Sequence, residues 1–390
     1  MSSPVGLQSV LQRYLSGYEQ AHRLSARERQ VCAHIGTCRT EVLGEARLCC
    51  EQCDYSASHC LACRDRHCPK CQHRERDLWC DRQRADVLPV VYHHVVFTLP
   101  SDLNGWIGLH PKVLYHQLFQ CAWKTLAEFG ADPKRLNGQM GMIGVLHTWG
   151  EALTRHVHLH CLVPGGALSS DKRWHSAKSE YLFPVRALSR CFRGKFVSAL
   201  RTQASLGNLH RVKQANEMDN LLDRLMSKDW VVFSKPCPNR SGQVIDYLGR
   251  YSHRIAISDQ RIVSCEGGQV CFHIKDYAND GERKVMTLDA GEFIRRYLLH
   301  VLPKGLMRIR HYGFLANSCR RARLSTIRQA LQERPHGVEA QQHKESIQSK
   351  PTSRVTLCPR CKTGYLSVKK KPRTASLAPH RSRDNNMTLH

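Results

Sequence analysis

The sequence predicts an α+β protein: a central, largely antiparallel sheet flanked by helices, preceded by a small domain whose core is supplemented by metal. Three observations predict it. Three Cys-x-x-Cys pairs fall within 22 positions, from Cys50 to Cys71, in a stretch with few long apolar runs. From about residue 85 to 325, apolar runs of strand length are interspersed with segments of helical periodicity. His156, His158 and His160 stand on alternate positions, so an extended strand would place their imidazoles on one face and Val157 and Leu159 on the other.

Composition narrows the function classes. The chain of 390 residues carries 59 Lys+Arg against 33 Asp+Glu, a net charge of +26, which makes a polyanionic partner the first expectation. No Lys-rich amphipathic helix with opposing aromatic residues marks a membrane surface. Met1 leads into a polar stretch and not an apolar signal core, and no run is long enough to span a bilayer. A cytoplasmic location is therefore expected, where 19 Cys would be reduced thiols or metal ligands.

Taken in order, residues 1–84 read as a zinc-binding domain. Each Cys-x-x-Cys pair can present two thiolates from one tight turn, and two pairs complete a tetrahedral zinc site. Cys50, Cys53, Cys68 and Cys71 form the preferred ribbon-like set. Cys60, Cys63, His59, His67 and Cys38 could complete a second ion or replace members of the first. A thioredoxin-like redox pair would need a βαβ pattern, which is not visible.

Residues 85–325 read as the globular domain. Val90–Pro100 is expected to be a buried strand stopped by proline. His110–Phe129 has apolar residues at helical spacing: Val113, Leu114, Leu118, Ala122 and Leu126. Met142–Trp149 and His156–Val163 are expected strands. A helix is expected over Gln243–Tyr251, then a strand through Ile255, Ala256 and Ile257. Tyr247 and Tyr251, four apart, would project from one face of that helix. From about 326 to 390 the chain turns polar and basic and reads as largely disordered, with Cys358 and Cys361 as a lone pair.

The combination resembles a known family. Cys63-Arg64-Asp65-Arg66-His67-Cys68-Pro69-Lys70-Cys71-Gln72, His94–Pro100, His158–Gly166, Tyr247-Leu248-Gly249-Arg250-Tyr251 and His300–Gly313 follow, in order, the pattern of the rolling-circle, two-tyrosine transposases of the insertion-sequence-ninety-one family. That family lies within the HUH (His-hydrophobic-His) endonuclease superfamily. Val157 departs from it, where relatives often carry proline, and so does Lys362, where glycine is commoner.

The resemblance implies an HUH-type nuclease core that nicks single-stranded DNA at element ends. His158 and His160 would hold Mg²⁺ or Mn²⁺, with His156 or His94 as third ligand. Tyr247 and Tyr251 would be nucleophiles forming 5′-phosphotyrosine links, and structural Zn²⁺ would sit in the N-terminal domain. Arg250, Arg254, Lys304, Arg308, Arg310 and His311 are candidate phosphate contacts. No Gly-x-x-x-x-Gly-Lys-Ser/Thr loop is present to drive unwinding, so a host helicase is an expected partner. Two other readings account for part of the pattern. A replication initiator of the same superfamily shares the chemistry, and a zinc-dependent DNA-binding regulator would explain the charge and cysteines but not the histidines with the tyrosines.

Overall fold

The computed structural model describes residues 5–177, 181–210, 216–237, 244–245, 249, 251–276, 281–332 and 356–370. Two helices, α1 (Leu7–Ala21) and α2 (Ala26–Gly36), open the chain, followed by β1 (Glu45–Cys50), β2 (Ser56–Cys60) and α3 (Pro69–Arg84). Next come β3 (Tyr92–Thr98), α4 (Asn104–Leu109), α5 (Pro111–Ala131), β4 (Gly141–Trp149) and β5 (Arg155–Pro164). A small hairpin of β6 (Gly166–Leu168) and β7 (Trp174–Ser176) leads to α6 (Val185–Ser205), α7 (Glu217–Ser227) and β8 (Val232–Pro236). The last part holds β9 (Ile262–Glu266), β10 (Gln269–Asp276), β11 (Glu282–Asp289), α8 (Ala290–Leu298), β12 (Ile309–Gly313), α9 (Arg320–Gln332) and β13 (Leu366–Lys370).

The central sheet has five strands in the order β12-β4-β5-β3-β8, every neighbouring pair antiparallel. The expected α+β class is thus found, and the strands expected around Val90–Pro100, Met142–Trp149 and His156–Val163 are β3, β4 and β5. Their alternation assigns the two faces. Val95, Phe97, Leu146, Leu159, Cys161 and Val163 point one way, into an apolar layer with Leu114, Leu118 and Phe119 of α5 and Phe192 and Phe196 of α6. Burying each such side chain contributes about 1.5–3 kcal/mol, so this layer anchors the sheet. His94, His147, His158 and His160 belong to the opposite face.

A second sheet, β11-β10-β9, packs with α8 against α1 and α2; Leu7, Val31, Ile35, Phe272 and Phe293 share one apolar cluster. The strand expected over Ile255–Ile257 does not form. Those residues are buried by packing, Ala256 and Ile257 in that same cluster, and take no place in a ladder. Apolar character there reports burial, not pairing.

Beyond residue 325, α9 runs to Gln332 and β13 pairs with β1, while 333–355 and 371–390, most of the tail expected to be disordered, lie outside the described residues. Cys358 and Cys361 are not a lone pair, since that pairing brings them to Cys50 and Cys53. Tyr247, Arg250 and the basic stretch 371–390 lie outside the described residues. Among the described residues, no helix is long and apolar enough to cross a membrane.

Candidate active site

Cross-strand register builds the histidine cluster. His147 of β4 lies directly opposite His158 of β5, with a register irregularity immediately beyond, between His147 and Trp149. His158 and His160 are two apart on β5 and share that face. The three rings each offer a nitrogen within 4.8 Å of the other two. His147, His158 and His160 therefore form the set that could hold a cation. Neither of the third ligands the sequence suggested belongs to it. His156 is exposed and contributes its carbonyl, which accepts a hydrogen bond from Nδ1 of His158 at 2.9 Å. His94 on β3 contacts Nδ1 of His160 through its Nε2 at 2.8 Å.

In each ring one nitrogen is engaged and the other is left for a metal. His147 donates from Nε2 to the carbonyl of Tyr251 at 2.7 Å, leaving Nδ1. His158 and His160 use Nδ1, leaving Nε2. Such outer hydrogen bonds fix tautomer and ring orientation. Burial holds all of these imidazoles neutral: it pushes His94 and His158 down to about 4 and His147 and His160 well below the usual histidine range, neighbouring imidazoles adding to the effect at His160. Neutral rings present lone pairs at physiological pH. Three imidazoles suit Mn²⁺ better than Mg²⁺, which prefers oxygen ligands.

Tyr251 covers the cluster. Its ring centroid is 4.4 Å from that of His160 and 5.1 Å from that of His94. Three contacts seat the segment that carries it. A Cβ at Gly249 would lie 2.5 Å from Sγ of Cys80, so only glycine lets the segment approach α3 this closely. His147 holds the Tyr251 carbonyl. Arg308 donates to the carbonyls of Ser252 (2.9 Å) and Arg254 (3.0 Å) and reaches Gln72 of α3 at 3.4 Å. Beside Tyr251 opens a cleft of about 570 Å³, lined by Gln72, His73, Arg76, His253 and Arg254 among others. Its basic rim fits a polyanionic strand.

The remaining candidates divide. Arg254 is exposed at the cleft, 3.2 Å from Glu151, and Lys304 is exposed. Arg308 is committed to backbone carbonyls, and burial pushes its guanidinium down to about 10. Arg310 lies on the other face of the sheet, its guanidinium 4.3 Å from the Phe119 ring. His311 is turned toward Gln83 of α3 at 3.3 Å. Arg308, Arg310 and His311 are thus placed as packing and bracing groups, because register and not composition decides where each side chain goes.

α3 begins at a thiolate cluster. Cys68 caps the helix and Pro69 occupies its first turn, where no N–H is needed. Sγ of Cys38 is 3.6 Å from those of Cys71 and Cys68, and Sγ of Cys63 is 3.7 Å from that of Cys71. A tetrahedron with Zn–S of about 2.3 Å has edges of about 3.8 Å, so these four sulfurs fit zinc. The preferred set of Cys50, Cys53, Cys68 and Cys71 is therefore corrected to Cys38, Cys63, Cys68 and Cys71. The Cys60 thiol faces Glu45 at 3.7 Å and belongs to neither thiolate set. His67 is not a ligand either. Its Nδ1 donates to Asp65 at 2.8 Å, and its Nε2 accepts from the Leu302 N–H at 3.1 Å. Arg66 donates to the carbonyls of Leu306 and Pro303. The Cys63–Cys71 loop is thereby locked onto the segment 297–306.

His300, in that segment, donates from Nε2 to the Leu153 carbonyl at 3.0 Å and has Nδ1 3.1 Å from the Thr148 hydroxyl. Burial pushes it down to about 4. Its unfolded value is near 6.5, so the unfolded chain takes up the proton first as pH falls. The stability His300 contributes is full above about 6.5 and declines toward about 4, by roughly 3 kcal/mol. Urea midpoints measured from pH 7.5 to 4.5 are expected to fall less steeply for His300→Gln than for wild type. Parallel curves would show that His300 is not protonation-sensitive.

Comparisons with known proteins agree with this architecture. Residues 10–99 match a family model described as "Transposase zinc-binding domain", and residues 141–323 match one described as "Putative transposase". The chain is 40% identical over 369 residues to "Putative transposase y4qJ" of Sinorhizobium fredii, covering 92% of this chain and 93% of that protein. It is 27% identical over 292 residues to "Transposase for insertion sequence element IS801" of Pseudomonas savastanoi pv. phaseolicola, covering 72% and 68%. No solved structure matches the chain.

Proposed function

The chain belongs to the insertion-sequence-ninety-one family of transposases, and from that premise we propose that it cuts and rejoins single-stranded DNA at the ends of its element through phosphotyrosine links. The observation that supports this reading above the others is the seating of the Tyr251 ring 4.4 Å from His160, over the His147–His158–His160 set. A DNA-binding regulator has no use for that juxtaposition.

Tyr251 is the nucleophile among the described residues, and Tyr247, outside them, is proposed as the second. The phenol oxygen of Tyr251 attacks the scissile phosphorus, and its proton passes to solvent. A Tyr–O–P bond forms and the P–O3′ bond breaks; the 3′ oxygen takes up a proton and leaves as a free hydroxyl. Rejoining is the reverse attack by a 3′-OH, so the bond energy is kept and no nucleotide cofactor is consumed. A divalent cation on His147, His158 and His160 would polarise a non-bridging phosphate oxygen and stabilise the charge that develops on it. Arg254, Arg76 and His73 line the cleft and would steer the strand toward Tyr251. Residues 1–84 add DNA contacts, residues 85–325 carry the chemistry, and a host helicase in the cytoplasm supplies the single strand.

The test is incubation of purified protein with single-stranded oligonucleotides spanning the element end, with Mn²⁺ or with EDTA, on denaturing gels. Wild type should give a Mn²⁺-dependent covalent protein–DNA band that Tyr247→Phe/Tyr251→Phe and His158→Ala both lose. Intact DNA with tight, salt-sensitive binding would overturn the reading in favour of a regulator.

A further inference from the structure

We propose that Cys50, Cys53, Cys358 and Cys361 form a second structural zinc site, a clasp that fastens the segment 356–370 to the zinc-binding domain. Neither family match extends to its C-terminal half: one ends at residue 99 and the other at 323. The four sulfurs come from two knuckles, one at the end of β1 and one just before β13. Sγ of Cys50 is 3.7 Å from that of Cys361, Sγ of Cys53 is 3.7 Å from that of Cys358, and all four lie within 4.8 Å of one another. A disulfide would bring a pair to about 2.05 Å. These are instead four separate thiols at the edge length of a ZnS₄ tetrahedron, and four thiolates select a soft cation over Mg²⁺ or Ca²⁺.

The backbone is shaped around the sulfurs. The N–H of Gln52 points at Sγ of Cys50 at 3.4 Å, and that of Gly364 at Sγ of Cys361 at 3.2 Å, the kind of donor that stabilises thiolate charge. A Cβ at Gly364 would lie 2.5 Å from Sγ of Cys50, so glycine is needed for the knuckles to close. Lys362 sits at φ 57°, the left-handed turn of the second knuckle, which glycine would adopt without strain.

Beyond its backbone ladders and the Arg360–Asp54 ion pair, the sheet β13-β1-β2 has little apolar burial of its own among the described residues. Cys50 is the only buried residue among the described side chains of its three strands; Leu48, Leu366 and Val368 are half-buried or exposed. A three-stranded sheet without an apolar core needs a staple. Here the staple joins positions 305 and 311 residues apart, a loop whose closure in the unfolded chain is entropically costly, so the metal's contribution is large.

The experiment is a zinc count on reduced, full-length protein after gel filtration with a weak chelator. Wild type should hold two zinc ions per chain, Cys358→Ser/Cys361→Ser one, and Cys191→Ser/Cys319→Ser, which alters thiols outside both clusters, two. Amide exchange across residues 45–50 should be at least tenfold faster in Cys358→Ser/Cys361→Ser. Equal zinc content in wild type and that variant, or unchanged exchange, would overturn the clasp. Should the double variant not fold, Cys53→His preserves a zinc ligand. It should retain two ions, and its cobalt-substituted form should lose one thiolate's share of the sulfur-to-metal charge-transfer absorption. An unchanged cobalt spectrum would count against the proposal.

Discussion

Replacing His147 with alanine is expected to abolish metal-dependent DNA cleavage, by a factor of about 10³ or more, while DNA binding persists. The ring has a nitrogen within 4.8 Å of nitrogens of His158 and His160, and its Nε2 donates to the Tyr251 carbonyl at 2.7 Å. One substitution thus removes a candidate ligand and frees the carbonyl of Tyr251, the proposed nucleophile. A factor of 10³ corresponds to about 4 kcal/mol of transition-state stabilisation, a reasonable loss for a site deprived of its cation. His156→Ala should stay within about threefold of wild type, since what His156 lends is a backbone carbonyl that alanine keeps. His94→Ala should fall between them, about 10–100-fold down, because it leaves the three-histidine set whole but removes the group that orients His160 and a ring beside Tyr251. Single-turnover cleavage in Mn²⁺ and calorimetric Mn²⁺ titration of the three variants measure this ranking. An inactive His156→Ala beside an active His147→Ala would mean that the three-histidine set is wrongly drawn.

That ranking also marks where sequence reasoning stopped. β3, β4, β5 and α5 were legible because each is a long apolar run with one period, and because Pro100 and Pro164 bound two of the strands. His158 and His160 were legible because two residues of one strand need no knowledge of its neighbours. His147 was not, since its role comes from register between β4 and β5, which a single strand does not encode. The only local signal was the polar pair His147 and Thr148 within Val145-Leu146-His147-Thr148-Trp149, otherwise a core strand. The preferred zinc set failed for the same reason. Cys50, Cys53, Cys68 and Cys71 are near in sequence, yet the chain turns between them: Cys68 and Cys71 meet Cys38 and Cys63, which the sequence offered as replacements, and Cys50 and Cys53 meet Cys358 and Cys361. Cys-x-x-Cys spacing identifies the knuckle and is silent about which knuckles meet. The two family segments around His67 and His300 show the converse. Their linkage became legible only when His67 was seen to accept from Leu302 and Arg66 to donate to Pro303.

Arg308→Lys separates the two roles open to a basic residue beside the basic cleft. The guanidinium of Arg308 donates to the carbonyls of Ser252 and Arg254, just past Tyr251, and touches Gln72, one residue beyond Cys71 of the four-sulfur cluster. It therefore ties three things together: the strand β12 neighbourhood, the tyrosine segment and the helix that starts at the zinc. A lysine ammonium keeps the charge but cannot serve acceptors in a fixed planar fork. If Arg308 is a brace, Arg308→Lys should slow single-turnover cleavage about 10–100-fold with unchanged zinc content. Its affinity for single-stranded DNA and the salt dependence of that affinity should also match wild type. If Arg308 contacts phosphate, as its charge alone suggests, Arg308→Lys should keep most of the activity, and Arg308→Ala should lose affinity and about one unit of salt slope. Lys304→Ala, at an exposed position on the same segment, is the control for a residue with only the second role. The brace predicts that the placement of Tyr251 depends on the zinc-binding domain through one guanidinium. Loss of zinc by Cys68→Ser should then reproduce the cleavage defect of Arg308→Lys, and the two together should cost less than the product of their separate effects.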